Sequence, residues 1–375
     1  MPDAASKPTT ILHLITGLET GGAEQMLARL VTRLDPARFR SVVVSMTGPG
    51  VIGPKLTGAG IELLSLDLPP GRPDPRGLMR LVRIVRAVRP GVLLTWLYHA
   101  DLLGLLAKPF LGDCRLLWNI RCTESWNANV VRRMLVAGSR VPDAVVVNSA
   151  AGQWFHEGIG YRPRRWEMIP NGYDTTVFRR DETARASLRR ELDIADDAIA
   201  IGLPARYHPM KDHPTFLAAA ARLTAVEPKA LFVLAGPGVD AANRSLTDMI
   251  AAAGLGGRIR LLGNRGDMVR VYSALDIVTL SSAYGEGHPN VLGEAMSCEV
   301  MCAATDVGDA AQLIGPTGAV VPPRDPEALA AAWQGLAELG AEGRRIRGKE
   351  ARERIVRLYD IDAVTKRYEA LFNSF

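Results

Sequence analysis

The chain has 375 residues, 47% of them hydrophobic, which is enough for two cores of ordinary domain size. No uninterrupted apolar run approaches the ~20 residues of a membrane span, and MPDAASKPTT lacks a secretory signal's apolar centre, so a cytoplasmic location is expected. The net charge of +5 is uneven: through residue 170 there are 21 basic against 13 acidic side chains, a balance of +8, and the remainder has 24 against 27, or −3.

The first half supplies the basic character. In PDPRGLMRLVRIVRAVRP, helical spacing places Arg76, Arg80, Arg83 and Arg86 in a stripe opposite Leu78, Leu81, Val82 and Val85. A solvated helix face explains such a stripe, and so does a peripheral patch for an anionic membrane or an anionic acceptor. No aromatic-interleaved basic groove accompanies it, which argues against nucleic acid. Cys114, Cys122, Cys298 and Cys302 contain no C-x-x-C pair and have no His cluster nearby, so they read as free, mostly packed thiols rather than a disulfide or zinc framework.

In chain order, TTILHLITGL reads as a buried strand. The next stretch, ETGGAEQMLARLVTRLD, turns to helical spacing with Ala23, Met26, Leu27, Leu30 and Leu34 on one side. The intervening Gly21-Gly22 turn suits a phosphate approach but is not G-x-G-x-x-G, which argues against a nicotinamide dehydrogenase. Strand and helix alternate through SVVVSM, IELLSLDL and VLLTWL, leaving His99 just past a strand end, where open α/β sheets bind ligands. RLLWNIR and DAVVVNS add Arg121, Asn148 and Ser149 to the same expected polar rim. The run WEMIPNGYDTTVFRRD leaves the alternation and reads as an interdomain linker. A second series starts with AIAIGLPARYHPMKDHP, whose strand-to-helix loop carries Arg206 and Lys211, one bidentate and one point-charge partner for a diphosphate. LFVLAGPG, RIRLLGNRGD and DIVTLSS give three more strands.

SSAYGEGHPNVLGEAMSC then forms a glycine turn into a helix. Gly285 and Gly287 flank Glu286, Pro289 has the φ of a helix's first turn, and Asn290 leads into VLGEAMS. The unpaired amides of that turn suit a phosphate. Glu294, four residues after Asn290, shares its helical face, with Glu286 on the loop rim. Two solvated glutamates beside an Asn cap would be the purely structural alternative. An acid between two glycines after a buried strand points instead to a ligand edge.

These residues, with GGAE at Gly21 to Glu24, IPNGYDTTVF at Ile169 to Phe178, ARYHPMKD, LLGNRGDM at Leu261 to Met268 and TDVGDAA from Thr305, resemble the retaining glycosyltransferases of family 4. Within them, the resemblance is to enzymes of bacterial exopolysaccharide, capsule or lipopolysaccharide synthesis. It implies a GT-B fold, two Rossmann-like domains facing a cleft: 1–170 binding acceptor, 171–361 binding a nucleotide sugar, expected to be UDP-linked, and 362–375 as a helix crossing back to the first domain. It also implies a glycan or lipid-linked acceptor and neither metal nor cofactor. Carried over by residue, Arg206 and Lys211 would neutralise the diphosphate, Glu294 would hold the ribose and Glu286 the transferred sugar. Gly287, His288, Pro289, Asn290, Val291 and Leu292 would line sugar and phosphate, Gly22 and His99 would approach from the first domain, and Gly263, Asn264 and Arg265 would meet the nucleobase. The chain departs from the family pattern at His288, where many relatives have Phe, and at Glu299 and Met301, where they have Gly and Pro. A nucleotide-sugar epimerase or hydrolase on the same architecture, or an inactive binding module, are the competing readings.

Overall fold

The computed structural model describes residues 7–19, 21–69, 74–121 and 129–375. The chain divides into two units, Met1–Gly172 together with Ile361–Phe375, and Tyr173–Asp360. Among the described residues no helix is long and apolar enough to cross a membrane.

The first unit is built on seven parallel strands: β1 Thr9–Ile15, β2 Phe39–Ser45, β3 Glu62–Ser65, β4 Val92–Trp96, β5 Arg115–Ile120, β6 Ala144–Val147 and β7 Trp166–Met168. Their order across the sheet is β3-β2-β1-β4-β5-β6-β7. Along β1, Ile11 and Ile15 enter one apolar cluster while Leu12 and Leu14 enter the other. Both faces are therefore covered, which is why these strands read as continuous apolar runs. The helix Gly22–Val31 buries Ala23, Met26, Leu27 and Leu30 on the side that the spacing predicts.

One expectation is corrected here. Trp166–Met168, read as the start of the linker, pairs with β6 as the edge strand β7. Three residues are too few to show a strand's alternation, and the turn-forming Pro170 to Gly172 directly behind them masked it.

Asn171 and Gly172, at the end of the first unit's main segment, are fastened beside the returning helix Ile361–Phe372. That helix buries Ile361, Val364, Tyr368, Leu371 and Phe372 in the same cluster as Ile11. Arg121 donates to the Tyr368 hydroxyl at 3.1 Å and to the Asn171 side-chain oxygen, which Asn148 also reaches at 3.3 Å. Ser149 caps the helix Ala150–Gly158 by accepting from the Gly152 amide. Arg121, Asn148 and Ser149, expected as a ligand rim, thus have structural partners within this unit.

The second unit has six parallel strands: β8 Ile199–Pro204, β9 Ala230–Ala235, β10 Ile259–Leu261, β11 Ile277–Leu280, β12 Met301–Thr305 and β13 Ala319–Val321. Their order is β10-β9-β8-β11-β12-β13. The direction of winding reverses between β8 and β11, and in such sheets that reversal opens a crevice at the carboxyl ends of the two strands. Phe216, Phe232 and Trp333 pack edge-on or tilted on one face, with the Trp333 indole N–H satisfied by Thr279 at 3.0 Å. Below the sheet Arg185 and Arg189 hold Asp276 at 2.7 and 3.1 Å. Burial disfavours the Asp276 charge, but the two guanidinium groups and the Ala200 amide outweigh it and hold the carboxyl below its ordinary range.

The departures at Glu299 and Met301 now have local consequences. Glu299 follows the C-cap residue Cys298 with φ of 60°, the left-handed position that favours glycine. Met301 opens β12 and is buried, pairing with Ile277. Cys114, Cys298 and Cys302 are free and buried, and burial pushes the Cys114 and Cys298 thiols up to about 12. Cys122 lies outside the described residues.

Two predictions follow from strain and buried charge. Glu299→Gly relieves a left-handed side chain and should raise the unfolding free energy by roughly 0.5–1 kcal/mol, read from the denaturant midpoint. The second concerns four buried groups. Burial lowers His13 to about 3 and His156 and His213 to about 4, and raises Asp101 to about 8 against the opposing bond from Thr95. Between about pH 4 and 6.5 the unfolded chain binds protons that the native imidazoles refuse, so their contribution to stability rises with pH. Asp101 has the opposite sign, because the native carboxyl keeps a proton that the unfolded one has lost. Above about pH 6.5 only Asp101 remains of the four, and its contribution falls by up to about 1.4 kcal/mol per pH unit as pH approaches 8. Asp101→Asn, neutral at every pH, should flatten that decline in denaturation curves taken at about pH 6.5 and about pH 7.5.

Candidate active site

Two loops meet at the reversal between β8 and β11. After β8 the chain runs through Arg206 into the short turn Pro209–Lys211, and Asp212 then caps the helix His213–Val226 through the Thr215 amide. Gly236 makes room for this loop. Its φ is 151°, and a Cβ there would stand 2.3 Å from the Ala205 carbonyl oxygen and 2.9 Å from the Arg206 nitrogen. Arg206 itself is exposed.

The second loop follows β11 and is sewn to the first. The Ala283 amide donates to the Met210 carbonyl at 2.8 Å and the Ser281 hydroxyl to the Lys211 carbonyl at 2.7 Å. These bonds set the backbones, and the side chains then meet: Lys211 Nζ lies 2.5 Å from Glu286 Oε1, which also accepts from the Ser282 hydroxyl at 2.6 Å. The Lys211 and Glu286 side chains are only 16% and 10% exposed, so the pair sits where charges are weakly screened. Ser282 was not singled out from sequence, because a serine before a glycine turn carries no signal of its own.

Backbone crowding fixes the Glu286 loop from below. Gly308 has φ of 65°, and a Cβ there would lie 2.5 Å from both the Glu286 and Gly287 carbonyl oxygens, the latter also accepting from the Asp309 amide at 2.8 Å. The TDVGDAA motif thus carries the glycine that lets the loop close down.

The helix Asn290–Ser297 begins directly behind. Pro289 occupies the N-cap position with φ of −72°, one residue earlier than its expected place in the first turn, and no side chain caps the helix. Val291 is half-buried and Leu292 fully buried against the second unit's core. Glu294 is half-buried on this helix and accepts from the Tyr272 hydroxyl at 3.0 Å. Burial and the neighbouring Glu294 carboxylate push the Tyr272 phenol upward, so it acts as a donor.

His288 is buried within the second unit between two tyrosines. The Tyr173 hydroxyl is 3.0 Å from its Nδ1, the Tyr173 and His288 rings stack at 6.0 Å, and Tyr359 lies 5.2 Å away on a tilt. Tyr173 is held against Gly293, where a Cβ would fall 2.1 Å from the phenol ring, and its amide donates to the Tyr359 carbonyl at 2.9 Å. Tyr173 lay within the IPNGYDTTVF motif, but its partnership with residues more than a hundred positions away has no sequence signal.

The remaining candidates are placed as follows. The Gly263 amide donates to the Val239 carbonyl at 2.8 Å and its carbonyl accepts from Gly236 at 2.7 Å, tying the loops after β9 and β10 together. Gly263 has φ of 63°, and Asn264 is exposed. Arg265 is engaged by Asp267 at 2.5 Å and Glu191 at 3.6 Å, so a base would contact it alongside two carboxylates. Gly22 and His99 belong to the first unit. Gly22 opens its helix behind the N-cap Gly21, and the Glu24 carboxylate lies over Gly21, 2.2 Å from where a Cβ would be. His99 is exposed in the first turn of the helix Tyr98–Ala107, after Leu97, whose φ of 73° and ψ of 156° fall in a region nearly reserved for glycine. Backbone strain of this kind concentrates at functional sites. Among the described residues, no group of three or more His, Cys, Asp or Glu side chains is arranged to hold a metal ion.

Comparison with known proteins bears on the family and the fold. Residues 20–177 match the family model described as Glycosyltransferase Family 4, and residues 198–338 the one described as Glycosyl transferases group 1. A putative glycosyltransferase, EpsF, of Bacillus subtilis (strain 168) is 24% identical over 315 residues, 80% of either chain. A D-inositol 3-phosphate glycosyltransferase of Stackebrandtia nassauensis is 31% identical over 177 residues, 44% of this chain and 39% of that protein. The crystal structure of Anabaena Alr3699/HepE in complex with UDP superposes with a TM-score of 0.86 at 22% identity, covering 98% of this chain and 100% of that one. At that identity the likeness is one of fold, and the fold is GT-B. With family models matching both of its α/β halves, the chain belongs to the group 1 glycosyltransferases.

Proposed function

We propose that the protein transfers a sugar from a UDP-linked donor to a glycan or lipid-linked acceptor in cell-surface polysaccharide synthesis, with retention of configuration and without a bound metal or cofactor. The observation that carries this reading is the Lys211–Glu286 pair at the strand-order reversal of the second unit. A cation and a carboxylate at 2.5 Å in a weakly screened site suit a ligand that is anionic at one end and hydroxyl-rich at the other. A nucleotide sugar is such a ligand. Its diphosphate would take Lys211 and Arg206, and the sugar hydroxyls would donate to Glu286. Glu294, steadied by Tyr272, would accept from the ribose hydroxyls, and the amides of Asn290, Val291 and Leu292 would face the sugar and phosphate. The UDP bound by the Anabaena neighbour supports uridine as the nucleoside.

In this mechanism the bond from the anomeric carbon to the phosphate oxygen breaks, and a bond to the acceptor oxygen forms on the same face. The acceptor's proton passes to the departing phosphate, so no side chain need serve as nucleophile. Lys211 and Arg206 stabilise the charge that grows on the leaving diphosphate, the role a divalent cation fills in other transferases.

Three outcomes test the assignment. Lys211→Ala should lower kcat by about a hundredfold or more, corresponding to ~3 kcal/mol for one electrostatic donor, in a nucleotide-release assay; near-normal turnover removes Lys211 from the mechanism. Glu294→Gln should weaken UDP binding by about 1.5 kcal/mol or more in calorimetry, the value of a hydrogen bond to a charged acceptor. Gly293→Ala should displace the Tyr173 ring, costing about 1–3 kcal/mol of stability and raising the donor KM, seen by thermal unfolding and initial rates. Release of nucleotide that does not depend on any glycan or lipid-linked acceptor would favour the hydrolase reading over transfer.

A further inference from the structure

The helices Arg76–Val88, Tyr98–Ala107 and Asn129–Gly138 pack side by side on one face of the first unit's sheet, their inner sides sharing one apolar cluster. Their outward sides are not what a solvated layer requires. Met79 is 54% exposed, Leu106 43% and Val130 69%, with Met134 also exposed. The helix Ala150–Gly158, joined to this layer by the 2.7 Å bond between the Tyr98 hydroxyl and His156, adds Trp154 at 76% exposure.

On the first three of these helices the exposed charge has one sign. Arg83, Arg86 and Arg133 are exposed on the first and third of these helices. Arg76 is paired with Asp74 at 2.8 Å and Arg80 reaches back to the Leu66 carbonyl, so the outward cations are a subset of the sequence stripe. The three helices carry a single carboxyl, that of Asp101, and it is fully buried. The fourth helix adds Glu157, half-buried and accepting from Gln153 at 2.9 Å. Exposed apolar side chains among arginines, on three helices without an exposed carboxylate, are the pattern of a helical surface that lies in a bilayer interface.

We propose that this helical layer docks the protein on an anionic bilayer, with the arginines at the lipid phosphates and Val130, Met79, Leu106 and Trp154 inserted at the headgroup boundary. The charge alone would also fit a nucleic-acid backbone, but exposed Val, Met and Leu gain nothing from phosphates and gain transfer energy from acyl chains. The inference extends the reading of a lipid-linked acceptor, since docking would hold the enzyme where such an acceptor resides.

The test is co-sedimentation of the full chain with phosphatidylcholine vesicles, with and without phosphatidylglycerol, alongside UDP binding by calorimetry in the absence of vesicles. Retention on the anionic vesicles should fall with salt, and Arg83→Ala with Arg86→Ala should weaken it about 25-fold, from about fivefold per arginine at the surface. Val130→Asp with Trp154→Ser should weaken it by about tenfold or more, while both double variants bind UDP as the parent does. The proposal is overturned if the chain stays in the supernatant, if both double variants bind undiminished, or if they lose affinity for nucleic acid but not for vesicles. A parent chain that docks but binds no UDP would leave this surface in place and remove the UDP-linked donor reading instead.

Discussion

The ion pair between Lys211 and Glu286 exists because the second sheet reverses its winding order between β8 and β11. Neighbouring parallel strands that wind the same way carry their following loops away to one side, whereas at a reversal the loops part and leave a crevice. The chain then stitches the two loops together from backbone outward. Ala283 and Ser281 bond to Met210 and Lys211, and only afterwards do the side chains meet. Two glycines complete the constraint: Gly236 admits the Arg206 loop and Gly308 admits the Glu286 loop, each at distances no side chain tolerates. A site assembled this way is held by main-chain geometry, which suits electrostatic stabilisation that must be in place before the reaction begins.

His288 joins the Glu286 loop to a different part of the same unit. It lies between Tyr173 and Tyr359, whose backbones bond to each other near the two ends of the unit's chain, and Gly293 on the helix Asn290–Ser297 receives the Tyr173 ring. The loop next to Glu286 and tyrosines from the two ends of the unit's chain therefore share one packed aromatic cluster. A phenylalanine at this position could stack there but could not meet the Tyr173 hydroxyl, so the histidine adds a polar contact to an otherwise apolar joint.

Much of this was legible from sequence, and the misses have physical causes. Strands buried on both faces read as apolar runs, and helix spacing correctly placed Ala23, Met26, Leu27 and Leu30 inside. The loop carrying Lys211 was found as the connection between an apolar strand and the helix after it, and the helix carrying Glu294 because a glycine turn after an apolar run marks a strand end. The strand Trp166–Met168 was missed because three residues hold no period. Arg121 and Asn148 looked like ligand groups from their strand-end positions, yet they hold Asn171 and Tyr368, partners that only the fold brings near. Ser282, Tyr272 and Tyr173 were passed over for the complementary reason: single polar residues acquire a role only once a charged partner stands beside them.

Hydrogen exchange of the full chain with and without UDP-glucose tests the central claim most directly, because it reports binding at each backbone amide. The account predicts slowed exchange in residues 205–212 and 285–294, where the Lys211 loop, the Glu286 turn and the helix start would take up diphosphate and sugar. Protection confined to other segments, with these two unchanged while the ligand is bound, would contradict it.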